Sequence, residues 1–390
     1  MEITNTLTVD DPLARDHSQQ LLNLIHQQIA KSNGKITFAD YMELCLYSAG
    51  LGYYSAGSYK LGSGGDFTTA PEISALFSRT LAQHIKDALQ QLDQGSLLEF
   101  GAGSGKMAID ILLELEQLNS LPQHYFIIEA SADLRQRQEI AIDHAIPHLK
   151  YKFIWLESLP ENFIGIILAN EVCDAMPVHC LHFNYGDIKE RYIARKTESL
   201  VWQEGELSNP QLAQRGAEIQ TLIGDQHYLT EVNLAAPAWL ASIAANLQQG
   251  AVFIIDYGYS EAEYYHPQRS QGTLMCYYQQ QGHDDPLILQ GLQDITAHVD
   301  FTTLAQTAMD NQLDVAGFQT QTDFLLAGGI TELALANTAL DEMALFQQAT
   351  EIKQLTLPSE MGESFKVLTL SKNLDQLLMQ SQLGDQRYHL

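Results

Sequence analysis

The sequence predicts an α/β fold whose central sheet is mostly parallel and carries helices on both faces. Three observations predict it. From residue 96 onward, short apolar runs alternate with segments of helical periodicity. A glycine-rich turn, Gly101–Ala102–Gly103–Ser104–Gly105, joins the first run to the first of those helices. The second run ends on an acid, Glu129. Alternation of this kind builds a parallel sheet wound on both faces, because each crossover helix returns the chain to the same end of the sheet.

Taken in order, residues 16 to 31 place Leu21, Leu22, Ile25 and Ile29 at helical spacing. A second helix is expected over 38 to 48, with Thr37 as its N-cap. Residues 50 to 66 are rich in glycine and serine and read as a long loop. A loop of this length is usually functional or disordered. The next helix, 69 to 89, has Thr69 and Glu72 at capping-box spacing and Pro71 in its first turn. The alternation follows: strand SLLEF (96–100), helix 106–118, strand HYFIIEA (124–130), helix 133–146, then strands YKFIWLE (151–157) and IGIILANE (164–171). A helix at 237–247 precedes a fifth strand, AVFIIDYG (251–258), and SFKVLTLSK (364–372) is a last strand. Two stretches interrupt the pattern. Residues 181 to 207 read as an antiparallel meander turning at Tyr185–Gly186–Asp187, and 259 to 300 are rich in tyrosine and glutamine. The organisation expected is an N-terminal helical segment with a glycine-rich lid loop, 1–80, and a core, 81–390, with insertions at about 181–207 and 259–300.

Composition narrows the partners. The chain has 390 residues, of which 48 are acidic and 21 basic, a net charge of −27. Such a surface repels phosphate backbones, so no nucleic-acid partner is expected, whereas a basic peptide, a guanidinium or a cationic cofactor is attracted, the alternative being that the acidity only keeps the protein soluble. Cys45, Cys173, Cys180 and Cys276 form no C-x-x-C pair, which argues against a zinc knuckle or disulfide framework. The N-terminus lacks the features of a secretory signal or transit peptide, and no apolar run has membrane-spanning length. A cytoplasmic protein without membrane insertion is expected.

The glycine turn separates three ligand classes by spacing. A dinucleotide loop, G-x-G-x-x-G, needs its third glycine at 106, where Lys106 stands. A P-loop ending at Gly105–Lys106 needs glycine at Phe100 and a hydroxyl at Met107. Both fail. What remains is G-x-G-x-G preceded by the acid Glu99, which suits S-adenosylmethionine. That ligand brings no phosphate, only a carboxylate for backbone N–H groups and an ammonium for an acid. A tight turn without a ligand is the alternative. Glu129 is positioned to accept hydrogen bonds from ribose hydroxyls. Glu157, after the third strand, is a candidate for the adenine amino group, the alternative being a solvated carboxylate. Asp66, Phe67 and Thr68 are expected to close over the donor, the alternative being pure capping of the following helix. Together with Gly101, Gly103, Gly105 and Asn170 these form the expected donor site.

The strings GSGGDFTTAPEIS, LEFGAGSGK, ANEVCDAMPV, IDYGY, HDDP, QDITAHVDF and MGESFKVL, in this order, resemble the MidA-like methyltransferases over about residues 20 to 371. The resemblance implies a class I methyltransferase core whose last strand is antiparallel, with N-terminal helices and inserted antiparallel strands and loops. Mitochondrial relatives in this family are complex I assembly factors reported to methylate an arginine. The resemblance therefore implies a protein arginine acceptor, with a respiratory complex subunit as the candidate protein. A small-molecule acceptor, a non-catalytic assembly factor and a nucleotide-binding oxidoreductase stay open as alternatives.

An arginine acceptor needs carboxylates, which hold a guanidinium in a fork and localise its charge. The end of the fourth strand supplies them at Glu171 and Asp174, which share a face if a helical turn starts there. The alternative is that Asp174 caps a helix and Glu171 makes a core hydrogen bond. Asp256, at the end of the fifth strand, points toward the same site or holds a turn. His298 joins these candidates because the resemblance implies that Asp294, His298 and Asp300 border the acceptor cleft. His283, Asp284, Asp285, His298 and Asp300 match no metal-ligand spacing, so no metal is expected.

Overall fold

The computed structural model describes residues 11–55, 69–336, 341–374 and 383–390. Helix α1 (Pro12–Lys31) starts on Asp11, whose carboxylate accepts from the Leu13 N–H. Strand β1 (Lys35–Thr37) leads into α2 (Phe38–Tyr47), where Thr37 and Asp40 form a full capping box. The single helix expected over 69–89 is two: α3 (Ala70–Ile73) and α4 (Ala75–Leu89). Between them Ser74 is extended and caps α4, while Thr69 makes no side-chain cap bond. Glu72 has a different use, described below.

Next come β2 (Ser96–Phe100), α5 (Lys106–Gln117), β3 (Tyr125–Ile128), α6 (Ala132–Ala145), β4 (Phe153–Leu156) and β5 (Phe163–Asn170). The meander is β6 (Val178–Asn184), β7 (Asp187–Lys196) and β8 (Ser199–Gly205). Asn184 pairs with Asp187, and Tyr185 (φ 49°) and Gly186 (φ 91°) make the two-residue left-handed turn that matches strand twist. Then follow α7 (Pro210–Ile223), β9 (His227–Asn233), α8 (Ala235–Asn246), β10 (Leu247–Tyr259) and α9 (Glu261–Tyr264). The late insertion holds β11 (Met275–Tyr278), β12 (Gln281–His283) and β13 (Asp294–Thr296). Strand β14 (Val299–Asp300), α10 (Phe301–Asp310), β15 (Asp314–Thr320) and β16 (Phe365–Lys372) are the remaining elements that matter for the site.

The chain divides into two compact units, and the boundary expected near residue 80 falls inside α4. One unit gathers the N-terminal helices with Ala175–Leu234 and Pro267–Ala297. It contains an antiparallel sheet, β1-β7-β6-β9 with β8 on β7, and the three-stranded sheet β12-β11-β13. Its core joins Leu21, Ile25 and Ile29 of α1 and Phe38, Tyr41 and Met42 of α2 to Val178, Cys180 and Ile193 of the sheet.

The other unit contains the sheet β15-β16-β10-β5-β2-β3-β4. Strands β2, β3, β4, β5 and β10 are mutually parallel, and β16 runs antiparallel to β10. Leu97, Ile127, Ile166, Phe253 and Val367 pack with Leu81 and Ile85 of α4 and Ile111 and Leu115 of α5. Each such side chain, fully buried, contributes roughly 1.5–3 kcal/mol. Edge strand β15 was not among the expected elements. Gly317 interrupts its apolar pattern, and its pairing with β16 slips at that point.

Candidate functional site

Parallel strands deliver their C-terminal ends to one edge of the sheet, and the sheet order makes β3, β2, β5 and β10 neighbours there. The glycine turn leaves β2 at this edge. Gly101 (φ 62°), Gly103 (φ 55°) and Gly105 (φ 82°) all hold left-handed backbone, which side chains other than glycine adopt at a cost. Ser104 donates from its hydroxyl to Glu72 and accepts the N–H of Lys106 at 3.2 Å. Glu72 thus braces the turn instead of closing a capping box with Thr69. Lys106 lies along α5, its Nζ 2.5 Å from Asp110.

Glu99, two residues before the turn, is almost fully buried and accepts from the Tyr125 hydroxyl at 2.6 Å. Burial pushes its carboxyl up from 4.5 to about 7, against the pull of the tyrosine. Glu129 follows β3, and each of its oxygens is held: Oε1 accepts the Ser131 N–H at 2.9 Å and Oε2 accepts Gln138 Nε2 at 3.0 Å. Burial raises its pKa too, and these two donors oppose the rise. Glu157, after β4, is exposed. Asp66, Phe67 and Thr68 lie outside the described residues.

At the end of β5, Asn170 donates to Glu171 Oε1 at 3.1 Å, and its own Oδ1 is buried with no hydrogen-bond partner among the described residues. No helical turn starts at Glu171. Its backbone is left-handed, φ 52°, and its N–H donates to the Ile255 carbonyl at 2.9 Å, so the chain leaves the strand through a bend. The bend is organised by Asp256. Oδ2 accepts the N–H groups of Cys173 (2.9 Å) and Asp174 (3.2 Å), and Oδ1 accepts that of Tyr257 (2.9 Å). Asp256 is fully buried, so of the two roles open to it the turn-holding one is seen. Burial, then the nearby charges of Asp174 and Glu171, push its carboxyl well above the ordinary range. The Tyr257 hydroxyl donates to Asp174, which is itself buried.

His298 sits edge-on between Tyr257 (5.3 Å, 85°) and Tyr259 (5.1 Å, 88°). Asp300 caps α10 through the Thr303 N–H and hydroxyl. Asp294 belongs to the other unit, where the Tyr54 hydroxyl donates to it. His283 and Asp285 form a local turn, with the Asp285 N–H donating to His283 Nδ1 at 3.3 Å. Among the described residues no group of three metal-ligating side chains converges, and no helix is long and apolar enough to cross a membrane.

Comparison with known proteins identifies the family. Residues 80–319 match the family model described as an S-adenosyl-L-methionine-dependent methyltransferase. The chain belongs to this family. The methyltransferase is 38% identical, with a TM-score of 0.94, to a Burkholderia thailandensis protein whose crystal structure holds S-adenosyl-homocysteine. That likeness covers 99% of this chain and 100% of the other. A mitochondrial protein arginine methyltransferase, NDUFAF7, is 28% identical in Danio rerio over 87% of this chain and 84% of the relative. The human protein of that name is 25% identical over 93% and 85%.

The residues fit the donor. Glycine turn and strand-end acid lie on adjacent strands, and the buried Asn170 Oδ1 needs a donor that a ligand could supply. When bound, S-adenosylmethionine supplies an activated methyl on sulfonium. If Glu99 faces the ligand's ammonium, its ionisation sets a pH dependence. The folded protein holds its proton up to about pH 7, so binding tightens as pH rises from 6 to 8 and then levels off, by up to about tenfold per unit. In the free protein the sign is opposite. A raised carboxyl pKa makes the fold lose stability as pH climbs from 4.5 toward 7. Calorimetric titration of S-adenosylhomocysteine across this range checks the prediction. A slope that persists in Glu99→Gln would place the titrating group elsewhere.

Proposed function

We propose that this methyltransferase places its methyl group on an arginine side chain of a protein. The observation that carries the reading is the acidic bend at the end of β5, one strand from the glycine turn. There Glu171 is partly accessible, Asp174 is hydrogen-bonded by Tyr257, and Asp256 holds the backbone N–H groups of Cys173 and Asp174. A guanidinium meets a carboxylate in two parallel charged hydrogen bonds, and this withdraws positive charge from the nitrogen that must react. In the transfer an N–C bond forms, the C–S bond breaks with its electron pair going to sulfur, and the nitrogen sheds a proton. Carboxylates at this edge supply the receiver. Glu171 is assigned the guanidinium, Asp174 its orientation, and Asp256 the positioning of Asp174.

Two further facts support the reading. The acidic chain, with 48 acids against 21 bases, favours a cationic acceptor. The relatives over most of the chain are named protein arginine methyltransferases. The test is a comparison of methylated peptides from cells with and without this protein. One or a few arginine marks should vanish and return with the wild type, but not with Glu171→Gln. Unchanged arginine marks beside a lost small methylated metabolite would replace the protein acceptor with a small molecule.

A further inference from the structure

We propose that Gln138 is a positioning residue for the methyl donor, tying the glycine turn, the ribose-binding acid and Trp155 into one unit. The proposal rests on the donor-site reading of the glycine turn and Glu129. Gln138 stands on α6, is fully buried, and uses every polar function of its amide. Nε2 donates both to the Gly103 carbonyl (3.1 Å) and to Glu129 Oε2 (3.0 Å). Oε1 accepts the indole N–H of Trp155 on β4 at 2.9 Å. An indole nitrogen can only donate, so the contact with Trp155 fixes which end of the amide faces the turn and the acid. The turn also lies against the Gln138 main chain and stem: a Cβ at Gly105 would stand 3.5–3.6 Å from Cγ, Cα and Cβ.

A buried amide that merely fills space is more cheaply replaced by an apolar side chain. A fully satisfied network instead selects one arrangement. What this one selects is the separation of Gly103 from Glu129. In the donor-site reading these two groups bracket one ligand, so Gln138 sets the spacing the ligand meets without touching the reacting atoms. It holds Glu129 Oε2 from one side while the Ser131 N–H holds Oε1 from another.

The experiment measures affinity for S-adenosylhomocysteine and for an analogue lacking the ribose hydroxyls, with melting of the ligand-free protein as the control. Gln138→Met should weaken S-adenosylhomocysteine ten- to hundredfold and the analogue by much less, narrowing the ratio between them. Gln138→Glu keeps the shape but sets an acceptor against Glu129 and the Gly103 carbonyl, so it should be worse. Trp155→Phe, which leaves the amide free to flip, should cost a few fold. The double variant Gln138→Met with Glu129→Gln should bind little worse than the weaker single variant. Should Gln138→Glu fail to fold, Gln138→Met and Trp155→Phe carry the test. Wild-type affinity in Gln138→Met, an equal loss for both ligands, or additive losses in the double variant would each overturn the proposal. If Glu129→Gln itself leaves affinity and ratio intact, the donor-site reading fails and takes this proposal with it. If Glu129→Gln weakens the ribose ligand and Gln138→Met does not, only the role of Gln138 is lost.

Discussion

Glu171→Gln is expected to lower kcat and kcat/KM together by more than a hundredfold while donor affinity changes little. The substitution keeps the side-chain shape and removes the charge that the proposed arginine reading turns toward the acceptor. An interaction made chiefly in the transition state lowers both constants alike. The loss of one preorganised electrostatic group at a reacting centre is about 3 kcal/mol, which is the hundredfold. The backbone adds a second arm. Glu171 holds a left-handed conformation, φ 52°, at a cost of order 1 kcal/mol for a side-chain residue. Glycine bears that conformation freely, so Glu171→Gly should match or exceed wild-type melting temperature while losing activity. The measurements are a donor titration and a methyl-transfer assay on the same preparations. Normal turnover in Glu171→Gln would move the acceptor site. Lost donor binding would put this carboxylate in the donor pocket instead.

The second large effect belongs to the donor. Glu129→Ala should raise the dissociation constant for S-adenosylmethionine or its product about 10- to 150-fold. On the donor-site reading of Glu129, that is the loss of charged hydrogen bonds to the ribose, roughly 1.5–3 kcal/mol. Gly103→Val should be worse, because its backbone sits at φ 55° and a branched side chain is strained there before any contact with a ligand. Calorimetry reads both. An unchanged titration for Glu129→Ala would shift the ribose contact to another residue, and the exposed Glu157 is the next to examine.

Much of this was legible in the residues. The strand–helix alternation, the glycine turn and the antiparallel meander with its Tyr185–Gly186 turn follow from local patterns, and the structure has each of them. What local pattern could not reveal was partnership across the chain. Glu72 has the spacing of a capping box, yet its carboxylate is engaged 32 residues away by Ser104. Asp256 reads as a strand-end acid, yet three backbone N–H groups, two of them more than 80 residues earlier, claim it. Gln138 carries no signal at all inside a polar helix, because its meaning lies in Gly103, Glu129 and Trp155. The unit made of the N-terminal helices and two inserted sheets was missed for the same reason. Its strands are separated by long excursions into the other unit, and no single window of sequence contains the set.

The measurement that bears most directly on arginine methylation is the fate of the methyl group itself. Purified protein would be incubated with S-adenosylmethionine labelled in its methyl group and an extract from cells lacking the protein. The acid hydrolysate of the protein fraction would then be resolved by amino acid. The account predicts label in methylarginine, abolished by Glu171→Gln and by Gly103→Val. Label in another amino acid, or in the small-molecule fraction alone, would contradict it.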